Sequence, residues 1–189
     1  MAILLFKNKR HGDHRGWFSE TFRSDLFFHY LESTEFVQDN QSLSSEAMTL
    51  RGLHFQTPPH AQAKLVRCLT GAIFDVAVDL RHGSPTYGQW IGEILSGENG
   101  HQLYIPEGFA HGFMTLEPDT MIFYKVSDYY APECDKGLDW NDPTISIDWP
   151  IKNNTPLLSE KDKKQPLFND FKSPFFYNGK PMTLTEISL

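Results

Sequence analysis

An all-β fold, a sandwich or barrel of short strands, is what this sequence of 189 residues predicts. Three observations carry that reading. In Ala72-Ile73-Phe74-Asp75-Val76-Ala77-Val78-Asp79-Leu80 one alternate set is wholly apolar while the other carries Asp75 and Asp79, a period of two. Turn signals recur between such runs: Arg81-His82-Gly83-Ser84-Pro85, Ser96-Gly97-Glu98-Asn99-Gly100 and Glu117-Pro118-Asp119. Fifteen Phe, seven Tyr and four Trp favour strands over long surface helices.

Taken in order, Asp13-His14-Arg15-Gly16-Trp17-Phe18-Ser19-Glu20 reads as a turn with a short edge strand behind it. Residues 24–31 are expected as a short helix with Ser24 as its N-cap. Strands follow over 50–56, from Lys64 through the next apolar run, and over 72–80, 89–95, 102–105, 112–116 and 120–126. Residues 159–171 mix charge and apolar character like a helix, which Pro166 interrupts. The aromatics of Trp140-Asn141-Asp142-Pro143 and Asp148-Trp149-Pro150 read as rim packing. With no repeat, low-complexity tract or linker, residues 1–189 are expected to form one domain, with a tail wrapping it from about residue 151.

Composition narrows the function. A net charge of -7 argues against a broad nucleic-acid-binding face. No apolar run approaches the ~20 residues that span a bilayer, and residues 1–6 lack the charged leader of a secretory signal. Cys68 and Cys134 fit free thiols rather than a disulfide framework, which points to the cytoplasm. The eight histidines include no His-x-His pair, so no metal is expected. Neither a Gly-x-Gly-x-x-Gly turn nor a Walker loop supports a nucleotide cofactor.

The chemistry concentrates in Leu50-Arg51-Gly52-Leu53-His54-Phe55-Gln56, with Lys64 in Ala63-Lys64-Leu65-Val66 close behind. Polar groups among apolar neighbours are costly unless paired, so their clustering marks a candidate site. An imidazole can take a proton while an ammonium holds the negative charge left behind, which suits proton abstraction beside a carbonyl. Alternation places Leu53 and Phe55 on one face, His54 and Gln56 on the other. Each residue has a plainer reading too. His54 fits a packed structural histidine, Lys64 can snorkel to solvent, and His111 can pack on Phe109 or Phe113. Tyr124, sharing a face with Ile122 and Val126, is either a bonded core tyrosine or a proton donor. Arg15 beside Trp17 and Phe18 suits a phosphate with a ring stacked on a base, or simply a surface turn.

Together the motifs resemble the dTDP-4-dehydrorhamnose 3,5-epimerase family. They are Gly12-Asp13-His14-Arg15-Gly16-Trp17-Phe18, Phe36-Val37-Gln38-Asp39-Asn40-Gln41-Ser42, Leu50-Arg51-Gly52-Leu53-His54-Phe55-Gln56 and Lys64-Leu65-Val66-Arg67-Cys68. Phe74-Asp75-Val76-Ala77-Val78-Asp79, Ile105-Pro106-Glu107-Gly108-Phe109-Ala110-His111-Gly112-Phe113, Trp140-Asn141-Asp142-Pro143 and Ser159-Glu160-Lys161-Asp162 continue the series in order. The resemblance implies a cupin-type double-stranded β-helix, or jelly roll, with short peripheral helices. It also implies epimerisation at C3 and C5 of a dTDP-linked 4-keto-6-deoxyhexose without metal or cofactor, feeding dTDP-L-rhamnose synthesis. His54 matches the family's base, Asp162 the carboxylate that orients it, Lys64 the partner of the enolate oxygen and Tyr124 the acid on the opposite ring face. Arg51 and His111 match sugar and phosphate contacts. Arg15, Phe18, Glu20, Gln38 and Asn40 match positions around the nucleotide, some reaching from the partner subunit of a homodimer.

Departures from the pattern are a short stretch before Gly12, which implies a truncated edge strand, one extra residue between Ser42 and Leu50, and a tail beyond Phe168 without a counterpart. The rival readings are an epimerase acting at one carbon only, a ketoisomerase on a related nucleotide sugar, and a sugar-nucleotide-binding cupin without catalysis. A metal-dependent oxygenase of the same fold is the weakest of them, for want of His-x-His.

Overall fold

The computed structural model describes residues 2–31, 34–151 and 155–189, so residues 152–154 of the expected tail lie outside it. The strands are β1 (Ala2–Lys7), β2 (His11–Asp13), β3 (Gly16–Phe18), β4 (Gln38–Ser44), β5 (Leu50–Gln56), β6 (Lys64–Thr70) and β7 (Ala72–Asp79). They continue as β8 (Trp90–Ser96), β9 (His101–Ile105), β10 (Phe109–Thr115), β11 (Thr120–Val126), β12 (Asp135–Gly137) and β13 (Thr183–Ser188). A six-stranded sheet runs β13-β1-β9-β6-β11-β4 and a five-stranded sheet β12-β5-β10-β7-β8, with β2 and β3 forming a separate hairpin. Two such sheets of mostly antiparallel strands make the all-β jelly roll that the sequence implies.

Three apolar clusters explain why so many strands are buried on both faces. One fills the space between the sheets, from Ile3 and Leu5 of β1, Val66 of β6, Ile73 and Ala77 of β7, and Phe113 of β10. A second backs the six-stranded sheet, where Phe27 and Leu31 cover Leu4, Phe6 and Leu65. The third backs the five-stranded sheet, where Trp149, Phe168 and Phe175 of the C-terminal segment cover Leu53, Phe55, Val76 and Val78. Trp149 is therefore core rather than rim: it is 7% exposed, and its indole N–H donates to the Trp140 carbonyl at 2.8 Å.

The one α-helix among the described residues, α1 (Ser24–Tyr30), starts a residue earlier in capping terms than expected. Arg23 is the extended N-cap and makes no side-chain cap, while Ser24 is already helical. The Arg23 carbonyl accepts the Phe27 N–H at 2.9 Å, and its guanidinium pairs with Asp25 in the first turn. Residues 159–171 form two 3-10 turns, Asp162–Lys164 and Phe168–Asp170, separated at Pro166 as the proline demands.

The expected truncation at the N-terminus does not appear, because β1 is a full strand inside the sheet. The edge belongs to β13, which pairs in parallel with β1 from Ala2↔Thr183 to Lys7↔Ser188. On its way there the tail is fixed at several points. Asp142 accepts the Phe168 N–H at 2.8 Å, Ser173 donates to the Leu80 carbonyl, and Arg81 donates to the Lys180 carbonyl at 2.9 Å.

Gly52 makes the tightest approach between strands that bears on the site. Its φ is +126°, and a Cβ there would meet Gly112 Cα at 2.5 Å and the His111 carbonyl oxygen at 2.9 Å. Both atoms are backbone and have nowhere to go. Gly52→Ala is expected to lower stability by about 3 kcal/mol in urea unfolding. An unchanged midpoint would show that β5 and β10 are not held this closely.

Candidate active site

A bulge in β5 decides which side chains enter the cavity. Against β10, His54 pairs with His111 and Arg51 with Phe113, so three steps on β5 match two on its neighbour. The extra residue resets the alternation, letting Arg51 and His54 line the same cavity while Leu53 and Phe55 stay in the core. Opposite them, β6 contributes Lys64 and β11 contributes Tyr124, both from the six-stranded sheet. The C-terminal segment closes the wall. Leu157 bridges to Thr49, its N–H donating to Met48 and its carbonyl accepting from Leu50, both at 2.9 Å. That places Asp162, which is 3% exposed, against His54.

The resulting cavity of about 520 Å³ is lined by Arg51, His54, Lys64, His111, Tyr124 and Asp162 among others. A second, of about 340 Å³, shares His54, Lys64 and Tyr124 and adds Gln38 and Asn40. Eight of the eleven residues singled out from sequence are brought together, six in the first cavity and two more in the second; Arg15, Phe18 and Glu20 line neither.

 On the β2–β3 hairpin, Arg15 forks onto Asp13 at 2.6 Å and Phe18 is exposed; Glu20 sits beside Arg23 at 3.8 Å.

Electrostatics assign each group a capacity. His54 Nε2 meets Asp162 Oδ1 at 2.5 Å, which fixes the ring and leaves its other nitrogen to exchange a proton. Burial alone would raise the Asp162 carboxyl, but the hydrogen bond and charge of His54, helped by Ser159 and Lys161, carry it below its ordinary value. Burial pulls Lys64 down to about 8, against the opposing charges of Asp75 and Asp135. Lys64 is thus mainly an ammonium at neutral pH, able to face an oxyanion. Burial raises the Tyr124 phenol, with Arg51 opposing, so it keeps its proton and can donate it. His111 is bonded through Nε2 to Asp75 Oδ1 at 2.7 Å and is lowered by burial, with Asp75 opposing. Arg51 is steadied by Ser44 Oγ at 3.2 Å.

Sequence reasoning missed Tyr130, Asp135 and Lys161, which line the second cavity, and the pairing of Asp75 with His111. Tyr130 donates to Asp135 at 3.1 Å, and Lys161 pairs with the same carboxylate at 2.5 Å. These three are brought together only by the fold. Asp75 did leave a signal, as a charge in an otherwise apolar strand. Among the described residues no group of three or more His, Cys, Asp or Glu is placed to hold a metal ion.

A cupin-type jelly roll holding an acid–base site between its sheets is the class that this fold and cavity define. The sequence profile of dTDP-4-dehydrorhamnose 3,5-epimerase matches residues 2–170. The chain belongs to that family. It is 54% identical to the Sinorhizobium fredii dTDP-4-dehydrorhamnose 3,5-epimerase over 175 residues, 93% of this chain and 89% of that one. The Legionella pneumophila dTDP-6-deoxy-D-glucose-3,5-epimerase, solved with dTDP-4-keto-L-rhamnose, superposes with a TM-score of 0.86 at 45% identity, over 90% of this chain and 92% of that one. The Bacillus anthracis dTDP-4-dehydrorhamnose 3,5-epimerase, solved with TDP and PPi, gives 0.82 at 49% identity, over 85% and 91%.

The depressed Asp162 carboxyl has a consequence for stability. A group lowered in the folded state stabilises above its unfolded value, about 4, and that contribution is lost as pH falls through the folded value. Asp162→Asn should therefore unfold more readily than the parent near neutrality, with the gap narrowing in acid. Urea midpoints measured across that range check this; a gap independent of pH would mean that the Asp162 charge contributes nothing.

Proposed function

We propose that this protein epimerises C3 and C5 of dTDP-4-dehydro-6-deoxy-D-glucose, giving dTDP-4-dehydro-L-rhamnose. The observation that carries the reading is the opposition of His54, paired with Asp162 on one side of a cavity, to Tyr124 and Lys64 from the facing sheet. A base and an acid on opposite walls address opposite faces of a ring, which inversion requires. The 4-keto group acidifies the C–H bonds on both sides of it. His54 removes each proton in turn, Asp162 stabilises the imidazolium formed, and Lys64 holds the enolate oxygen. Tyr124 returns a proton from the other face.

Arg51 and His111 contact the sugar and phosphate in this reading, and Gln38 and Asn40 extend the path toward the nucleotide. Arg15 and Phe18 line a separate cavity on the hairpin and Glu20 another, apart from the two that hold His54, so their role at the nucleotide rests on a homodimer in which each hairpin serves its partner's site. The two buried free thiols suit a reducing, cytoplasmic setting. The chemistry needs no metal or redox cofactor, because the substrate's own carbonyl is the electron sink.

Incubation with dTDP-4-dehydro-6-deoxy-D-glucose in D2O should add two deuterons to the sugar, read by mass. One deuteron would reassign the protein to a single-carbon epimerase, and none would remove the reading. Tyr124→Phe should bind the nucleotide sugar normally yet complete inversion about 10²-fold more slowly. Full turnover by that variant would take the acid's role away from Tyr124.

A further inference from the structure

Tyr130 owes its place to a residue that takes no part in the proton transfers above. It lies in the loop between β11 and β12, is 59% exposed, and lines the second cavity together with Gln38, Asn40 and Tyr124. Its hydroxyl is spent on Asp135 at 3.1 Å, so what it offers the cavity is a ring. An open loop residue gets little direction from packing, so its backbone has to be held.

Gln56 does the holding. It stands two residues beyond His54 on β5, lines the same cavity and is 4% exposed. Its Nε2 donates to the Tyr129 carbonyl at 3.1 Å and to the His60 carbonyl at 2.7 Å, while its Oε1 accepts the Ala131 N–H at 2.8 Å. The Tyr129 carbonyl and the Ala131 N–H belong to the two peptide groups that flank Tyr130. One side-chain amide thus fixes the planar units on both sides of that ring. Reversing the amide would set its oxygen against two carbonyls and its NH2 against an N–H, so a single orientation is satisfied. The other ties on this loop are weaker. Gln38 Oε1 accepts the Tyr130 N–H at 3.3 Å, and His60 meets Asp128 at 3.0 Å in a pair open to solvent.

We propose that Gln56 is a positioning residue: its amide sets the Tyr130 ring at the wall of the second cavity and so serves binding of the nucleotide sugar rather than proton transfer. The kinetic consequence rests on the epimerase reading; the grip on the loop does not. With the loop held in advance, a ligand need not order it on binding, and affinity gains by that amount. The base and the acid are untouched by the loss of this grip, because His54 and Tyr124 sit on their own strands. Removing Gln56 should therefore appear in KM and leave kcat nearly alone.

The test is a cycle of Gln56→Met, Tyr130→Ala and the double variant, read as KM and kcat for dTDP-4-dehydro-6-deoxy-D-glucose and as Kd for dTDP. Gln56→Met should raise KM and Kd about tenfold with kcat within about twofold. Tyr130→Ala should do at least as much, and the double variant should be no worse than Tyr130→Ala. Effects that multiply overturn the proposal, since Gln56 would then act apart from Tyr130. So do an unchanged KM and Kd, or a loss confined to kcat. Should Gln56→Met not fold, Gln56→Asn, which draws the donors and the acceptor back by one methylene, takes its place with the same outcomes. A parent that binds dTDP but leaves the sugar unchanged removes the epimerase reading, and the cycle in Kd then decides the positioning by itself. A parent that does not bind dTDP overturns both.

Discussion

Asp162 and His54 are 108 residues apart in sequence and 2.5 Å apart in space, and that contact sets what the C-terminal segment has to do. A carboxylate 3% exposed is tolerable only with its partners in place, so the segment that carries it must be held firmly. The Leu157 bridge fixes it just before Asp162, and the Asp142–Phe168 bond fixes it just after. Farther on, Phe171 and Phe175 pack edge-on against Phe55, the neighbour of His54, at 5.2 and 6.1 Å between ring centroids. Packing on the outer face of the sheet thus reaches His54 on the inner face through a single strand.

The bulge in β5 does for Arg51 what the tail does for Asp162. Strict alternation would put Arg51 on the face of Leu53 and Phe55, where an unpaired guanidinium would be costly. The extra residue turns it to the cavity, and glycines at 52 and 112 let the two strands pass closely enough for this. Backbone geometry and site composition are coupled here, since a side chain at either glycine would part the strands that present Arg51, His54 and His111.

Much of the fold was legible because its central strands alternate cleanly and glycines and prolines punctuate them. β7, β8, β9 and β11 lie within a residue or two of their expected limits, while β10 starts three residues before its expected start. β1 and β13 were not legible as partners: an apolar hexapeptide says nothing of what it will pair with, and a polar strand at the tail's end carries little signal. His54, Lys64 and Tyr124 could be singled out because they are polar groups in apolar strands. Asp162 came only from the family resemblance, since its surroundings in sequence are charged and look solvated. Tyr130, Asp135 and Lys161 went unnoticed for the same reason, their meaning being wholly three-dimensional.

The proposed reaction needs a base and an acid on opposite faces of a sugar ring, both beside the same carbonyl. Two sheets with a cavity between them put His54 and Tyr124 on facing walls, and in that proposal Lys64 offers the charge for the oxyanion. The central claim is that His54 is the base for both carbons. The most direct measurement is solvent exchange at C3 and C5 with His54→Ala, without and with added imidazole. The account predicts that exchange is lost at both carbons and partly restored by imidazole. Exchange persisting at either carbon without imidazole would contradict it.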